Sequence, residues 1–387
     1  MNDLDRAIRP LPASPYLIDA SGFRGAAERI FTPPDEPALV EILREASAAA
    51  MPVTISGAGT GLTGGRVPRG GWVVSLENFT RLDIHEETAT VGAGVLLKDL
   101  HAAAARTGQF YPPDPTETWA SIGGTIANNA SGSRSFRYGD TRRHVLRLRV
   151  VLTDGRTLDA RRGDRIDFDV PALPLPDTTK HTAGYRLQPG MDWIDLFTGS
   201  EGTLGVVVEA ELRLLPAPKA LLAGVVFFPD EERSLAAVEA WRSAGNIAGL
   251  RMIEYFDGPS LALLRSRYPE VPAEAGAALL FEQEGDADLD IWPDRLEEAG
   301  ALLESSWFAS GAADRERFRQ FRHALPELVN DIVTRNGRLK MGSDYAVPLG
   351  RNGEMMAYYR RRLEAEFPGR YVIFGHIGDA HVHVNIL

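Results

Sequence analysis

The 387-residue chain contains no cysteine. That absence excludes structural disulfides, thiolate-held zinc, iron–sulfur clusters and thiol nucleophiles together. Any metal must then use His, Asp or Glu, and the redox compartment is left open. An excess of positive charge is also missing. Lys and Arg number 42 against 53 Asp and Glu, for a net charge of −11, which opposes attraction to phosphate backbones or anionic lipid and argues against nucleic acid as a partner. No apolar run spans a bilayer. The first stretch, Met1 to Gly22, carries Asp3, Asp5 and several prolines where a secretory leader needs a basic start and an unbroken apolar segment. The expected location is a bacterial-type cytosol, with any membrane contact made through a partner. What remains is globular in composition, 44% hydrophobic and 25% charged, with no internal repeat. At this length two compact units are expected.

Hydrophobic spacing outlines these units. Leu39, Ile42, Leu43 and Ala46 share a helical face, and Pro52 to Ser56 follows as a short strand. Trp72 to Leu76 reads as a strand and Val95 to Thr107 as a helix ending at Gly108. From Pro112 to Asp140 no regular period survives, and loops of that length are usually functional. Strands resume at Val145 to Leu152, with Asp154-Gly155 turning the chain into Thr157 to Ala160. Val206 to Leu214 alternates apolar and polar residues, as a half-buried strand does. Pro216 and Pro218 end it and mark a boundary, giving domains 1–217 and 218–387. Beyond it come strand Leu221 to Phe228, helix Glu231 to Ser243 and strand Leu250 to Phe256, a pattern that predicts an antiparallel sheet with helices on one face. Asp314 to Ala324 and Glu354 to Phe367 read as helices, Tyr371 to Phe374 as a strand, and the acidic run Glu282 to Asp290 as solvated surface.

Gly57, Gly59, Gly61, Gly64 and Gly65 fall within nine residues directly after a strand. Such density lets backbone N–H groups converge and lets a diphosphate approach without meeting a Cβ. Gly59 to Gly64 matches GxGxxG, with Asp83 at a plausible distance for a ribose contact. A Rossmann loop must open a helix, however, whereas Val67 to Gly71 cannot begin one and Trp72 starts a strand. The order is strand, loop, strand. On its own the loop fits either a ligand cradle or a flexible glycine-rich hairpin. Two more clusters of small residues, Ser121 to Gly132 and Gly199 to Gly205, are hard to explain as independent turns, because glycine costs stability inside elements.

These residues resemble the FAD-linked oxidases and dehydrogenases of the vanillyl-alcohol-oxidase fold, and within them the branch that holds D-lactate dehydrogenase, D-2-hydroxyglutarate dehydrogenase and the flavin-binding subunit of glycolate oxidase. The resemblance rests on Ser56-Gly57-Ala58-Gly59-Thr60-Gly61-Leu62-Thr63-Gly64-Gly65, Tyr111-Pro112-Pro113-Asp114-Pro115, Ile122 to Asn129, Arg137-Tyr138-Gly139 and Gly199 to Gly205, and it covers most of the chain. It implies an α+β fold: a two-part FAD-binding domain followed by an α+β substrate (cap) domain with an antiparallel sheet. It implies that Ser56, Gly57, Ala58, Gly59, Thr60, Gly61, Leu62 and Gly64 hold the pyrophosphate. Pro113, Asp114, Ser121, Gly123, Gly124, Thr125, Asn128, Ala130, Ser131, Gly132, Tyr138 and Gly139, with Glu201, Gly202, Gly205, Val206 and Val207, would flank the remaining parts of FAD. The loop lacks the histidine to which some relatives attach flavin, so noncovalent FAD is implied. At Gly184-Tyr185-Arg186-Leu187 close relatives place Asp where Arg186 stands.

Gly375-His376-Ile377-Gly378-Asp379-Ala380-His381-Val382-His383-Val384-Asn385 is similar to the family's metal and substrate motif, which reads Gly-Asn at Ala380-His381. Read bare, three histidines in eight residues fit a metal site or a polar strand end. The resemblance implies that His376 and His383 bind a divalent metal such as zinc and that Asn385 serves the substrate. Relatives continue to a Ser-Glu-His-Gly stretch with a carboxylate ligand, so the second domain is expected to be truncated at Leu387. A hydroxy acid also needs a cation for its carboxylate, and a guanidinium fits best. Arg322 stands where relatives carry that arginine, and Lys340 is a further candidate.

The resulting expectation is FAD-dependent oxidation of a small D-2-hydroxy acid to the 2-oxo acid, with hydride passing to flavin N5 and electrons to an external acceptor or partner subunit. The assembly could be a homodimer. Same-fold flavoenzymes with other chemistry are one alternative, and a noncatalytic FAD-binding subunit of a glycolate-oxidase-like complex is another.

Overall fold

A computed structural model describes residues 8–9, 14–243, 249–285, 291–337 and 339–387. Residues 1–7 and 10–13 of the segment read for a leader, and residues 286–290 of the acidic run, lie outside the described residues. The chain divides into two compact units: residues 1–131, 139–175 and 182–217 form the first, and 132–138, 176–181 and 218–387 the second.

In the first unit β1 (Arg29–Phe31) leads into α1 (Glu36–Ala48). Asp35 caps α1 by accepting from the Ala38 N–H at 3.0 Å, and the apolar stripe Leu39, Ile42, Leu43 and Ala46 is buried. Strands β2 (Val53–Ser56) and β3 (Trp72–Ser75) run parallel with β1 in the order β1-β3-β2, and Ser56 lies opposite Ser75. The crossover from β2 to β3 contains no helix, so the glycine-rich loop returns directly to its own sheet. Next come β4 (Leu82–Ile84), β5 (Thr88–Gly92), α2 (Leu97–Ala105), α3 (Ile122–Ala127), β6 (Val145–Val151), β7 (Thr157–Arg161) and β8 (Val206–Arg213). The five strands make an antiparallel sheet in the order β4-β5-β8-β6-β7.

The stretch expected to be irregular therefore contains a helix, α3. Its two glycines hide it from propensity, since glycine disfavours helix. It is held instead by Ser121, whose Oγ accepts from the Gly124 N–H, and by burial of Ile122 and Ile126.

The second unit is built on β9 (Leu221–Phe228), α4 (Glu231–Ser243), β10 (Leu250–Asp257), α5 (Gly258–Leu264), β11 (Ala277–Glu284), α6 (Ile291–Glu298), β12 (Trp307–Ala309), α7 (Ala312–Arg335), β13 (Met341–Ala346), α8 (Asn352–Glu366), β14 (Tyr371–Gly375) and β15 (His381–Ile386). The strands form one antiparallel sheet in the order β12-β9-β11-β10-β14-β15-β13. Helices cover both of its faces, not one. Val238, Trp241, Trp292, Leu296 and Met356 pack with Ile253, Tyr255 and Ile373 in one core, while Leu261, Leu264, Phe318, Phe321 and Leu325 pack with Met252, Phe256 and Phe374 in another. The reason lies in β9 and β10, which are buried along nearly every residue. A strand apolar on both sides needs cover on both.

Helix α7 runs past its expected end and through Pro326. Proline removes one helical hydrogen bond, but the stripe Phe318, Phe321, Leu325, Val329 and Val333 stays buried across it. The acidic run is also corrected in its described part. Glu282 and Glu284 are β11 residues paired with arginines, Arg251 at 3.1 Å from Glu282 and Arg137 at 2.7 Å from Glu284. Among the described residues no helix is long and apolar enough to cross a membrane.

Candidate functional site

The first unit gathers its three small-residue clusters around one cleft of about 290 Å³. Ser121 joins the first two, because its Oγ accepts from the Ala58 N–H at 3.3 Å as well as capping α3. The third is tied to the end of α3 by Gly199 N–H to the Ile126 carbonyl and Glu201 N–H to the Ala127 carbonyl, both 2.9 Å. Gly57, Ala58, Gly59, Thr60 and Gly61 line the cleft from one loop. Ser121, Gly123, Gly124, Thr125, Asn128 and Ala130 line it from α3 and its flanks, and Glu201, Gly202, Gly205, Val206 and Val207 from the third cluster.

Two glycines are needed here for space. A Cβ on Gly57 would lie 2.5 Å from Ser121 Oγ, and one on Gly59, at φ +80°, would run into the Arg66 guanidinium. Asn129 and Glu201 hold left-handed backbone without being glycine, at φ 45° and 53°. Strain of this kind persists only where the surroundings enforce it, and it concentrates at ligand sites. A second cavity, of about 600 Å³, is lined in part by the same Gly57, Ala58, Arg66 and Ser121. A glycine-walled trough with backbone N–H groups along it fits a diphosphate and its flanking rings.

Not every expected residue reaches the cleft. Ser56 is buried behind it and accepts from Arg66 Nη1 at 2.9 Å, and Leu62 is largely exposed. Gly64, Pro113, Asp114, Ser131 and Gly139 are not among its lining residues. Gly132 and Tyr138 belong to the second unit, where the Tyr138 hydroxyl donates to Glu284. The residue that sequence reasoning missed is Arg66. Its guanidinium donates to the carbonyls of Pro15, Ile18 and Gly57 and to Ser56 Oγ, and so fixes the loop from behind. Burial lowers its pKa.

In the second unit strand register assembles a polar cluster. Phe374 on β14 lies opposite His383 on β15, and His383 lies opposite Asp344 on β13. Tyr255 on β10 pairs with Gly375, which carries Glu254 toward His376. Along β15, Val382 and Val384 enter one core, while His381, His383 and Asn385 share the opposite side of the strand. One ring nitrogen from each of His376, His381 and His383 falls within 4.8 Å of the others. Gly375, at φ +133°, leaves room for this, since a Cβ there would sit 2.7 Å from His383 Cδ2.

The electrostatics suit a ligand. Burial lowers the pKa of His376 to about 3 and of His381 to about 4, so both rings stay neutral, as metal coordination requires. Asn385 is 3% exposed and its Nδ2 has no partner. An orphaned buried donor of this kind is costly unless something else occupies the site. Arg322 on α7 donates its Nε to Glu254 at 2.9 Å. Histidine nitrogens grouped at this spacing, beside a carboxylate-bound arginine, form a donor set that fits a divalent cation and an anionic ligand.

Lys340 precedes β13, and burial lowers its pKa; among the described residues no ion pair joins it to Asp344 or the histidines. The lysine found here is Lys180, from the 176–181 segment, whose Nζ lies 3.2 Å from His381 Nδ1 and 4.0 Å from Asp344. Neither Lys180 nor Glu254 carried a sequence signal. Asp344 was legible only as part of the stretch after Lys340.

Comparison with known proteins gives the same division. Residues 27–161 match a FAD binding domain, and residues 217–387 match the C-terminal domain of FAD linked oxidases. The D-lactate dehydrogenase of Anaerostipes hadrus is 31% identical over 86% of this chain and 68% of its own length. Glycolate oxidase subunit GlcD of Bacillus subtilis is 30% identical over 95% and 75%, and the D-2-hydroxyglutarate dehydrogenase of Xanthomonas citri pv. viticola 31% over 89% and 70%. An alkyldihydroxyacetonephosphate synthase structure superposes with a TM-score of 0.70 at 18% identity, covering 94% of this chain and 71% of that one. At that identity the likeness speaks for fold alone.

Proposed function

Because the chain belongs to the FAD-linked oxidases, as an FAD-dependent oxidoreductase of the D-lactate and D-2-hydroxyglutarate dehydrogenase branch, we propose that it oxidises a small D-2-hydroxy acid to the 2-oxo acid and passes the electrons to an external acceptor. The observation that carries this reading is the polar face in the second unit. His376 and His383, the unpaired Asn385 Nδ2 and Arg322 lie on elements of one sheet side.

Noncovalent FAD fits the first unit's glycine-walled cleft, where Gly57 to Gly61, Ser121 to Ala130 and Glu201 to Val207 would hold it. A divalent cation such as zinc fits His376 and His383. When bound, FAD supplies a two-electron acceptor for the hydride leaving the α-carbon, and the metal lowers the pKa of the substrate hydroxyl.

The chain's own residues do the rest. Arg322 keeps its Nη groups for the substrate carboxylate while Glu254 holds its Nε, so the guanidinium is oriented before substrate arrives. Asn385 Nδ2 offers a hydrogen bond to a substrate oxygen. The Phe374 ring, its centroid 6.0 Å from that of His383, limits water there. The test is anaerobic reduction of the bound flavin, followed as loss of its visible absorbance, by a panel of D- and L-2-hydroxy acids. Bleaching by a D-acid supports the reading. Bound flavin that no member of the panel bleaches refutes it and leaves a noncatalytic FAD-binding role.

A further inference from the structure

Glu254, which holds Arg322 Nε, is also the most deeply placed carboxylate at the histidine cluster. Its side chain is 3% exposed. Oε1 lies 2.5 Å from His376 Nδ1, and Oε2 accepts from Arg322 Nε at 2.9 Å. The Arg322 guanidinium, 2.9 Å from Oε2, keeps it a carboxylate. An ionised carboxylate can only accept, so the His376 proton sits on Nδ1 and the Nε2 lone pair is free.

The second metal histidine repeats this arrangement. His383 Nδ1 lies 2.8 Å from Asp344 Oδ1, which again leaves Nε2 as the free nitrogen. His381 differs. Its Nδ1 faces the Lys180 ammonium, which has only donors, so Nδ1 accepts and Nε2 carries the proton, donated to the same Asp344 oxygen. Both nitrogens of His381 are thereby committed. The hydrogen bonds sort three nearby histidines into two with free Nε2 atoms and one that braces a carboxylate.

We propose that Glu254 and Asp344 are the positioning carboxylates of a divalent-metal centre with His376 Nε2 and His383 Nε2 as ligands, and that Glu254, by gripping Arg322 too, sets the substrate-carboxylate arginine relative to the metal. Lys180 and His381 act through Asp344. This rests on the metal reading given above. It adds to it which nitrogen of each ring binds, what fixes that choice, and how the metal and carboxylate positions are coupled through one side chain. Outer carboxylates of this kind orient ligands and raise their basicity.

The experiment uses the purified flavoprotein, stripped with a chelator and titrated with Zn(II) or Co(II). Stoichiometry and Kd are read by competition with a chromophoric chelator, and ligand geometry by the visible Co(II) bands. Glu254→Gln should weaken metal binding 10- to 100-fold, on the scale seen for outer-sphere partners, shift the Co(II) bands and raise KM for the hydroxy acid. Asp344→Asn should lose less, because that side chain is 62% exposed and water can replace it. FAD stoichiometry and the thermal unfolding midpoint report folding. If Glu254→Gln does not fold, Glu254→Asp, which keeps the charge but shortens the reach, carries the test with a smaller expected loss. A wild type that binds no metal overturns the metal reading and this proposal together. A wild type that binds one metal, with folded Glu254 and Asp344 variants that bind as tightly and show unshifted Co(II) bands, overturns the positioning role alone.

Discussion

The fit between Gly57 and Ser121 makes a quantitative prediction about flavin binding. In Gly57→Ala the new Cβ would approach Ser121 Oγ to 2.5 Å, while its next neighbours, Ser121 Cβ at 3.7 Å and Gly124 Cα at 3.9 Å, are in ordinary contact. One atom is therefore responsible. Ser121 must rotate away and give up the hydrogen bonds from Ala58 N–H and Gly124 N–H, at 3.3 and 3.4 Å. Losing an N-cap costs about 0.5–2 kcal/mol, so Gly57→Ala should weaken FAD binding by roughly 3- to 30-fold at 1.4 kcal/mol per tenfold. In a Ser121→Ala background the obstructing oxygen is gone, and Gly57→Ala should then cost little more. The assay is a double-mutant cycle on FAD Kd, measured by quenching of flavin fluorescence on binding to the apoprotein. A Gly57→Ala penalty that is the same in both backgrounds refutes the steric account and requires the loop backbone itself to be at fault.

Three further outcomes follow from the same geometry. Arg66→Ala removes the guanidinium that joins Pro15, Ile18, Ser56 and Gly57, so the purified protein should carry less FAD, read as the ratio of flavin to protein absorbance; full loading counts against that role. Arg322→Lys keeps a charge but loses the planar fork, so kcat/KM for the hydroxy acid should fall about 10- to 100-fold, about 1.4–2.7 kcal/mol, with flavin content unchanged. Burial pushes Asp379 up to about 7 from 3.8. Since the folded pKa is the higher one, its contribution to stability is full below about pH 4 and is lost as pH rises through about 7, by up to about 4 kcal/mol at 1.36 kcal/mol per unit. Urea unfolding at pH 4.5 and 7.5 should show wild type losing ground against Asp379→Asn, and parallel pH profiles would contradict it.

Much of this architecture is legible in the sequence, and the exceptions share a cause. The alternation in β8 and the uniform apolarity of β9 are local signals, and the strands stand where they point. Helix α3 is not local in this sense, because its glycines argue against it while Ser121 and burial of Ile122 and Ile126 decide for it. The second helix layer escapes a local reading because burial on both sides of β10 is a property of the whole sheet. At the site, motif spacing marks His376 and His383 from eight consecutive residues, and the small-residue clusters mark the cleft. Glu254 sits inside a strand with no polar period, Lys180 in a loop, and Arg66 beside a glycine run that draws the eye away from it. Only strand register and tertiary contacts reveal what they touch. The cation beside His381 comes from the 176–181 segment, which no motif marks.

The register that joins β10, β14, β15 and β13 also constrains when the histidine cluster can form. His376 and Glu254 are 122 residues apart, and Arg322 is 68 from Glu254. Closing loops of that length is entropically slow compared with forming α7 or the hairpin-like pairing of β14 with β15. An ion meeting the nascent chain finds His376, His381 and His383 close in sequence but without Glu254 to select a tautomer. The polar cluster is thus a late product of folding, and the sheet must reach its native pairing through its two apolar cores before any ligand can reward it.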